Sequence, residues 1–358
     1  MKNPRYCRVY EERTLENMNW KARLRAISMY LPEKILDNAE LVRQFGTWTE
    51  NKIFNRTGIA KRHIVDGELV SDLAAGAGER LFEEHGIDRR EVDFLLLCTE
   101  CPDYFLPATA CVVQDRLGLR SDIGALDYNL GCSGFIYGLA LARGLIVGGL
   151  AKRVLLITAD TVSRVIHPHD KSTRTLFGDG AAATLIEREE SADAENGGIG
   201  DFSLGTDGSG AQKLMIPAGA WARPPSPETR AETTNRWGNT RTPENLYMDG
   251  PEILSFSMRV APPCMDEVLK RNKITLDEID LVVFHQASRM LLEKLRDALK
   301  IPREKFVVNI ENYGNTTSST IPIALREAEL EGRLKKGDRV LVMGFGVGLS
   351  WGGTVLRW

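Results

Sequence analysis

Three blocks of sequence recur in the same order in the two halves of this 358-residue chain. In each copy an acidic loop residue precedes an apolar run, a glycine-containing turn follows, and a second apolar run comes later. The matching pairs are EVDFLLLC (91–98) with EIDLVVFH (278–285), NLGCSG (129–134) with NYGNTT (312–317), and KRVLLIT (152–158) with DRVLVMG (338–344). Short apolar runs that alternate with helical stretches are typical of an α/β fold. The chain is therefore predicted to contain two copies of one β-α-β-α-β unit.

The duplication predicts a division of the chain near residue 195. We expect residues 1–25 to form an N-terminal extension, 26–195 the first half, and 196–358 the second half. Within the second half, residues 208–245 are rich in Pro, Thr, Arg and Gly and show no sustained periodicity. We interpret this segment as an insertion, either a lid or an inert surface loop.

Composition argues against several classes of function. The formal net charge is −3, with 46 Lys and Arg against 49 Asp and Glu, so a nucleic acid is not expected as the main ligand. The longest apolar run, residues 135–151, contains Arg143 and is shorter than the roughly 20 residues of a membrane span. Six cysteines and no apolar signal sequence predict reduced thiols and a cytoplasmic location.

Three polar residues stand at corresponding places in the two copies. Cys132 and Asn315 occupy the same position of the repeated turn, and His285 follows the apolar run of the second copy. If the copies pack about a pseudo-twofold axis, these side chains converge. Cys132 also precedes an almost wholly apolar helix, whose N-terminal N–H groups and dipole are expected to favour the thiolate. The alternative for Cys132 is a buried, unreactive side chain.

Two further features allow more than one interpretation. In the amphipathic helix predicted over 288–300, three cations share the face opposite the leucines: Arg289, Arg296 and Lys300. That face is either simply solvated or a docking patch for an acidic partner. Cys98 and Cys101 form a single CxxC with no second ligand pair, so no metal site is expected. No phosphate-binding glycine motif follows a strand, which argues against a nucleotide enzyme.

Seven short motifs follow one another between residues 30 and 352. They are YLPEK (30–34), RTGI (56–59), GCSG (131–134), FGDGA (177–181), FHQA (284–287), NYGNT (312–316) and GFGVGLSWG (344–352). Together they resemble the β-ketoacyl-acyl-carrier-protein synthase III family. The resemblance runs from about residue 26 to the C-terminus, with 208–245 as an addition. It implies a thiolase-like, five-layered αβαβα fold of two duplicated halves, assembled as a homodimer.

The resemblance implies roles for the converging residues. Cys132 would accept an acyl group from a thioester, and His285 and Asn315 would donate hydrogen bonds to a malonyl thioester carbonyl as carbon dioxide leaves. The backbone N–H groups of Cys132 and Val347 would form an oxyanion hole. The implied reaction is a decarboxylative Claisen condensation in fatty acid or related acyl or polyketide biosynthesis. Thioesters of coenzyme A or of acyl-carrier protein would be the substrates, with no resident cofactor.

The resemblance also assigns a substrate pocket. Its residues here are Arg56, Leu106, Ser288 and Phe345. Leu106 stands where the family commonly has a phenylalanine that closes the acyl pocket. Lys52 replaces the tryptophan that stacks on the adenine of coenzyme A. These departures favour a carrier-protein-bound primer or an unusual coenzyme A ester.

Two related activities remain open alternatives. An acyltransferase of the same fold could move the acyl group from Cys132 to an alcohol or amine. A condensation like that of type III polyketide synthases would use the same three residues. A thiolase is disfavoured, because it would need a second cysteine near the C-terminus and none follows Cys264.

Overall fold

The computed structural model describes residues 20–190 and 198–358. The strands are β1 (Trp20–Tyr30), β2 (Ile35–Asp37), β3 (Lys61–His63), β4 (Phe94–Cys98), β5 (Gly124–Tyr128), β6 (Arg153–Asp160), β7 (Gly180–Glu190), β8 (Ser203–Thr206), β9 (Leu214–Met215), β10 (Thr233–Thr234), β11 (Thr240–Arg241), β12 (Tyr247–Met248), β13 (Leu281–Phe284), β14 (Arg339–Gly346) and β15 (Ser350–Arg357). The helices are α1 (Asn38–Phe45), α2 (Glu50–Thr57), α3 (Val70–His85), α4 (Thr109–Arg116), α5 (Gly134–Val147), α6 (Lys171–Arg174), α7 (Gly250–Arg271), α8 (Arg289–Ala298) and α9 (Thr320–Leu330).

Two mixed sheets repeat one strand order. The first runs β1-β7-β6-β4-β5, and the second runs β8-β15-β14-β13. In both, two antiparallel strands lie on one side of a parallel pair, namely β6 with β4 and β14 with β13. A single bridge from Val282 to Phe306 takes the place of the fifth strand in the second sheet. The two halves therefore match in four strands, and the fifth is reduced to this bridge in the second half.

The sheets enclose a central layer of two helices. One apolar core joins α5 and α9 to the inner faces of both sheets, for example through Phe135, Leu325 and Val342. A second core packs α3 and α4 on the outer face of the first sheet, and a third packs α7 and α8 on the outer face of the second. These layers form the αβαβα thiolase-like architecture.

The structure corrects the predicted N-terminal extension and leaves the predicted boundary untested. Residues 20–25 lie in β1, which pairs antiparallel with β7 from Trp20 to Tyr30. They therefore belong to the first sheet, because β7 extends far enough to pair with them. The predicted boundary at 195 lies outside the described residues. Among the described residues, no helix is both long and apolar enough to cross a bilayer.

The segment 208–245 holds short paired strands rather than one irregular loop. Strands β10 and β11 form a hairpin, and β9 pairs with β12 just beyond the segment. Arg241 of β11 lies 3.3 Å from the buried Asp170 carboxylate and thereby ties the hairpin to the first half. The hairpin is therefore held beside α6, where a large cavity opens.

Candidate active site

Cys132 lies on the turn that enters the central helix α5. The turn closes with a hydrogen bond from the Gly134 N–H to the Gly131 carbonyl (2.7 Å), and the Ser133 hydroxyl pairs with that of Ser350 at 2.7 Å. Cys132 is 6% exposed. The turn is thus fixed on both sides, and the thiol is held at the start of the buried helix.

The end of β14 packs directly against this turn. A Cβ atom on Gly346 would lie 2.5 Å from the Cys132 Sγ atom, and one on Gly344 would lie 2.5 Å from the Cys132 carbonyl oxygen. Such distances exclude any side chain at either position. The backbone N–H groups of Val347 and Cys132 lie near enough to the thiol to lower its pKa. Two N–H donors therefore lie beside Sγ, where the oxygen of an acyl group bonded to that sulfur would carry negative charge.

The Cys132 thiol differs from the sequence-based expectation in its proton affinity. Burial raises its pKa well above the usual range, and the negative charge of Glu100 raises it further. The N–H groups of Val347 and Cys132 lower it, but desolvation dominates. Cys132 is therefore a thiol at rest, not the thiolate that the helix dipole alone predicts.

His285 follows β13 and is 1% exposed. Its Nδ1 atom lies 2.7 Å from the Thr320 hydroxyl, which itself lies 3.1 Å from the Thr317 carbonyl oxygen. Its Nε2 atom is buried and has no hydrogen-bond partner among the described residues. Burial lowers the pKa of His285 to about 3, so the imidazole is neutral near pH 7. Because a hydroxyl both donates and accepts, Thr320 can stabilise either neutral tautomer.

The Asn315 amide has a fixed orientation. Its Oδ1 atom accepts a hydrogen bond from the Thr317 N–H at 2.9 Å, which leaves the Nδ2 group as a donor. The backbone of Asn315 is held by the Leu176 carbonyl (2.9 Å) and by the Gly178 N–H (3.0 Å). Residues of the first half therefore position this second-half side chain.

One cavity of about 760 Å³ reaches all three predicted catalytic side chains. Cys132, His285 and Asn315 line it, as do three of the four predicted pocket residues: Arg56, Ser288 and Phe345. Leu106, the fourth, is 86% exposed and is absent from the described lining. The loop before α4 carries Leu106 outward beside the exposed Phe105, so Leu106 does not line this cavity and its place in the substrate pocket stays a prediction.

The three predicted docking cations have different environments. Arg289 pairs with Glu311 at 2.7 Å and lies over the Phe54 ring. Arg296 pairs with the adjacent Asp297 at 2.6 Å and is mostly buried, whereas Lys300 is exposed. The face thus carries less uncompensated charge than the sequence alone indicates.

The sequence reasoning missed an aromatic and cationic mouth. Trp48, Lys171 and Trp237 line the same cavity as the catalytic three. Lys52 and Arg56 both lie over the Trp48 ring, at 4.9 and 5.0 Å from its centre. In the sequence, the available signal for this mouth was two isolated tryptophans, Trp48 and Trp237, the second of which lies inside the aperiodic segment 208–245.

Comparison with known proteins identifies the family. The model of 3-oxoacyl-[acyl-carrier-protein (ACP)] synthase III matches residues 126–208, and its C-terminal model matches 269–358. A β-ketoacyl-[acyl-carrier-protein] synthase III of Caldanaerobacter subterraneus subsp. tengcongensis is 39% identical over 330 residues, which is 92% of this chain and 95% of that protein. A Streptomyces coelicolor relative is 39% identical over 94% of this chain and 96% of its own length.

Solved structures agree. A crystal structure of a 3-oxoacyl-(acyl-carrier-protein) synthase III matches with a TM-score of 0.92 and 44% identity over 94% of this chain and all of that one. The Thermus thermophilus enzyme matches with a TM-score of 0.83 and 36% identity over 94% of this chain and 99% of that one. The chain therefore belongs to the β-ketoacyl-acyl-carrier-protein synthase III family of condensing acyltransferases.

Proposed function

We propose that this chain condenses an acyl primer with a malonyl thioester by way of an acyl group on Cys132. The supporting observation is that Cys132, His285 and Asn315 line one cavity in which two backbone N–H groups meet the thiol. The cavity, of about 760 Å³, is large enough for the pantetheine arm of a thioester, and the Cys132 thiol in it is buried. The reaction uses the chain's own groups, and the thioesters are substrates rather than resident cofactors.

The first step transfers the acyl group to the enzyme. Sγ of Cys132 attacks the thioester carbonyl while its proton passes to the free Nε2 lone pair of His285. The oxyanion accepts hydrogen bonds from the N–H groups of Cys132 and Val347, and one such donor typically lowers the barrier by about 3 kcal/mol. When the carbon–sulfur bond to the donor breaks, the leaving thiolate takes the proton from Nε2.

The second step forms the carbon–carbon bond. Between the two steps His285 changes to its other neutral tautomer, in which the proton is on Nε2 and Nδ1 accepts from the Thr320 hydroxyl. The malonyl thioester carbonyl then accepts hydrogen bonds from Nδ2 of Asn315 and from Nε2–H of His285. These bonds strengthen as carbon dioxide leaves and the enolate oxygen gains charge. The enolate carbon attacks the acyl-cysteine carbonyl, the carbon–sulfur bond to Cys132 breaks, and the expelled thiolate takes up one proton from solvent.

Product analysis tests this proposal. With an acyl thioester and malonyl acyl-carrier protein, the wild type should consume malonyl groups, release carbon dioxide and form a β-ketoacyl thioester. Cys132→Ala should abolish product formation, while Cys111→Ala, which removes an exposed thiol, should not. Acyl transfer to an alcohol or amine without carbon dioxide release would overturn the proposed condensation.

We also propose that the cavity mouth binds the nucleotide end of an acyl-coenzyme A. Trp48 and Trp237 offer aromatic faces to a base, and Arg56 and Lys171 offer cations to its phosphates. Trp237 is 67% exposed, so a stacked base would cover it. Trp237→Ala should raise the KM for acyl-coenzyme A but not for the corresponding acyl-pantetheine. An equal change for both would contradict this assignment.

Two macromolecular contacts complete the proposed function. The acyl-carrier protein would dock on the cationic face of α8 near Ser288, at the cavity. A second copy of the chain would pair with β5, the edge strand of the first sheet, and cover the exposed loop side chains Tyr104, Phe105 and Leu106. Light scattering should then give the mass of a dimer, and Leu126→Lys in β5 should give a monomer.

The five cysteines of the described residues are free, as a reducing cytoplasm would keep them.

A further inference from the structure

A buried carboxyl group of the first half holds the segment that follows Asn315. Asp160 is the last residue of β6 and is fully buried. Its Oδ2 atom accepts hydrogen bonds from the hydroxyl groups of Thr317 and Ser318, the second at 2.6 Å. Its Oδ1 atom accepts from the Glu100 N–H at 2.8 Å. Because both oxygens are engaged, the carboxyl group is a fixed anchor for this second-half segment.

Thr317 has a backbone conformation that a threonine rarely adopts. Its φ angle is +50°, in the left-handed region, where a β-branched residue is an outlier. Residues in such conformations persist only when surrounding contacts determine them. The Thr317 hydroxyl also meets the carbonyl oxygen of Thr316 at 2.9 Å, but a carboxylate is the stronger acceptor. Asp160 thus supplies the contact from the first half that holds the Thr317 backbone in place.

The two backbone groups of Thr317 contact the catalytic side chains. Its N–H donates to Oδ1 of Asn315 at 2.9 Å, so it sets the direction of the Asn315 amide. Its carbonyl oxygen accepts from the Thr320 hydroxyl at 3.1 Å, and that hydroxyl lies 2.7 Å from Nδ1 of His285. The link to Asn315 is direct, whereas the link to His285 passes through a hydroxyl group that can rotate. A displaced Thr317 would therefore disturb Asn315 first.

We propose that Asp160 is a positioning residue for condensation, which holds Thr317 so that the amide of Asn315 points at the malonyl carbonyl. This inference rests on the proposed condensation at Cys132. Asp160 is absent from the described lining of the cavity, so it acts through Thr317 and not on the substrate. Acyl transfer to Cys132 does not use the Asn315 amide. Loss of the contact should therefore slow condensation much more than loading.

Two substitutions of Thr317 separate its backbone conformation from its hydroxyl group. Thr317→Val loses the hydrogen bond to Asp160 and keeps a branched side chain that disfavours the left-handed conformation. Thr317→Gly also loses the bond but adopts that conformation freely. Single-turnover rates of Cys132 loading and of condensation with malonyl acyl-carrier protein are measured. Thr317→Val should slow condensation by about 10²-fold and loading by less than about 3-fold, whereas Thr317→Gly should slow condensation by less than about 10-fold.

Asp160→Ala extends the test to the carboxyl group itself. It should slow condensation as Thr317→Val does. Adding Thr317→Gly to it should restore at least about 10-fold of the lost rate, because glycine needs no partner to hold this conformation. A loss of rate that Thr317→Gly does not restore would show a general structural role for Asp160 and overturn the proposal. If Asp160→Ala fails to fold, the two single variants of Thr317 decide the question.

Ser319→Ala is the matched control. The Ser319 hydroxyl lies 2.9 Å from that of Thr158, so this substitution removes a hydrogen bond between the same two segments without changing Thr317. Both rates should stay at the wild-type values. Equal loss of loading and condensation in Thr317→Val, or equal condensation rates in Thr317→Val and Thr317→Gly, would overturn the role of Asp160. A wild type that neither loads Cys132 nor releases carbon dioxide would instead overturn the proposed condensation, and this inference with it.

Discussion

The two copies of the repeated turn carry residues with different chemical roles at the same position of the turn. In the first half, the turn presents Cys132 at the start of a buried helix, with N–H donors around its sulfur. In the second half, the matching turn presents Asn315, whose amide is oriented by the Thr317 N–H. Strand ends differ in the same way, because the first copy has Cys98 at the end of β4 where the second copy has His285 after β13. The duplicated fold thus brings a nucleophile and a set of hydrogen-bonding groups to one cavity, and neither half holds both.

Among the variants that test this comparison, Asn315→Ala is expected to have the largest effect on rate. Asn315→Ala removes a donor to the enolate oxygen but leaves the oxyanion hole at Cys132 intact. Condensation should slow by about 10²- to 10³-fold, and acyl loading should change little. Single-turnover measurements of the two steps check this. An equal loss of rate in acyl loading and in condensation would mean that Asn315 does not act specifically in condensation.

A smaller effect is expected where β14 touches the first-half turn. In Gly346→Ala the new Cβ atom would displace Sγ of Cys132 from its present position. Misplacement by about 1 Å costs on the order of 10²-fold in rate, so loading of Cys132 should fall by about that factor. Gly144→Ala is the matched control, because a Cβ atom there meets nothing within 4 Å. Similar loading rates for both variants would contradict the proposed contact.

The pH dependence of stability tests the buried state of His285. Its pKa of about 3 in the native state lies below the roughly 6.5 of an unfolded chain. Between these values the unfolded state binds more protons, so this contribution to stability falls as the pH decreases. The loss is at most about 1.4 kcal/mol per pH unit. Urea unfolding at pH 6 and pH 5 should show a smaller decrease for His285→Gln than for the wild type.

The pKa values of Glu100 and Asp160 are raised to about 8 and about 6, so their contribution to stability increases as the pH decreases. Both residues are present in the wild type and in His285→Gln. The comparison of the two slopes therefore isolates His285. The exposed His169 provides the control variant, His169→Gln, which should keep the wild-type decrease. Identical decreases for His285→Gln and the wild type would show that the imidazole is not buried in its neutral form.

The smallest effect is expected on the surface of α8. Arg289→Glu reverses a charge that Glu311 already partly neutralises, so turnover with acyl-carrier protein should fall by only about 3- to 10-fold. Turnover with a small malonyl thioester should be unchanged. Arg90→Glu, whose side chain is 79% exposed in the wild type, is the control. Equal losses with both substrates would indicate a structural role for Arg289 rather than docking.

The repeated parts of the molecule could be predicted from the sequence. The blocks ending in Cys98 and His285 form the equivalent strands β4 and β13, and the blocks 152–158 and 338–344 form the equivalent strands β6 and β14. The same repetition predicted that Cys132, His285 and Asn315 meet, because equivalent turns lie at equivalent edges of the two sheets. Repeated blocks are local patterns of residues, so they can be recognised in a single sequence.

The features that depend on unrepeated segments could not be predicted. Leu106 points outward because of the path of its loop, and no periodicity reports that path. Trp237 reaches the cavity mouth through a hairpin inside an aperiodic segment, tied down by the distant Asp170. The helix dipole suggested a thiolate at Cys132, but only the packed structure shows that desolvation outweighs the dipole. Long-range contacts and burial decide these points, and neither is encoded in local spacing.

The central claim is that Cys132 carries the acyl group and that groups from both halves complete the condensation in one cavity, and one measurement tests it directly. Wild-type enzyme is loaded with an acyl thioester, freed of excess donor, and mixed with malonyl acyl-carrier protein. Peptide mapping and carbon dioxide release are then followed together. The account predicts one acyl group per chain on Cys132, lost in step with one carbon dioxide and one β-ketoacyl product. An acyl group on any other residue, or product formed while the acyl group on Cys132 persists, would contradict it.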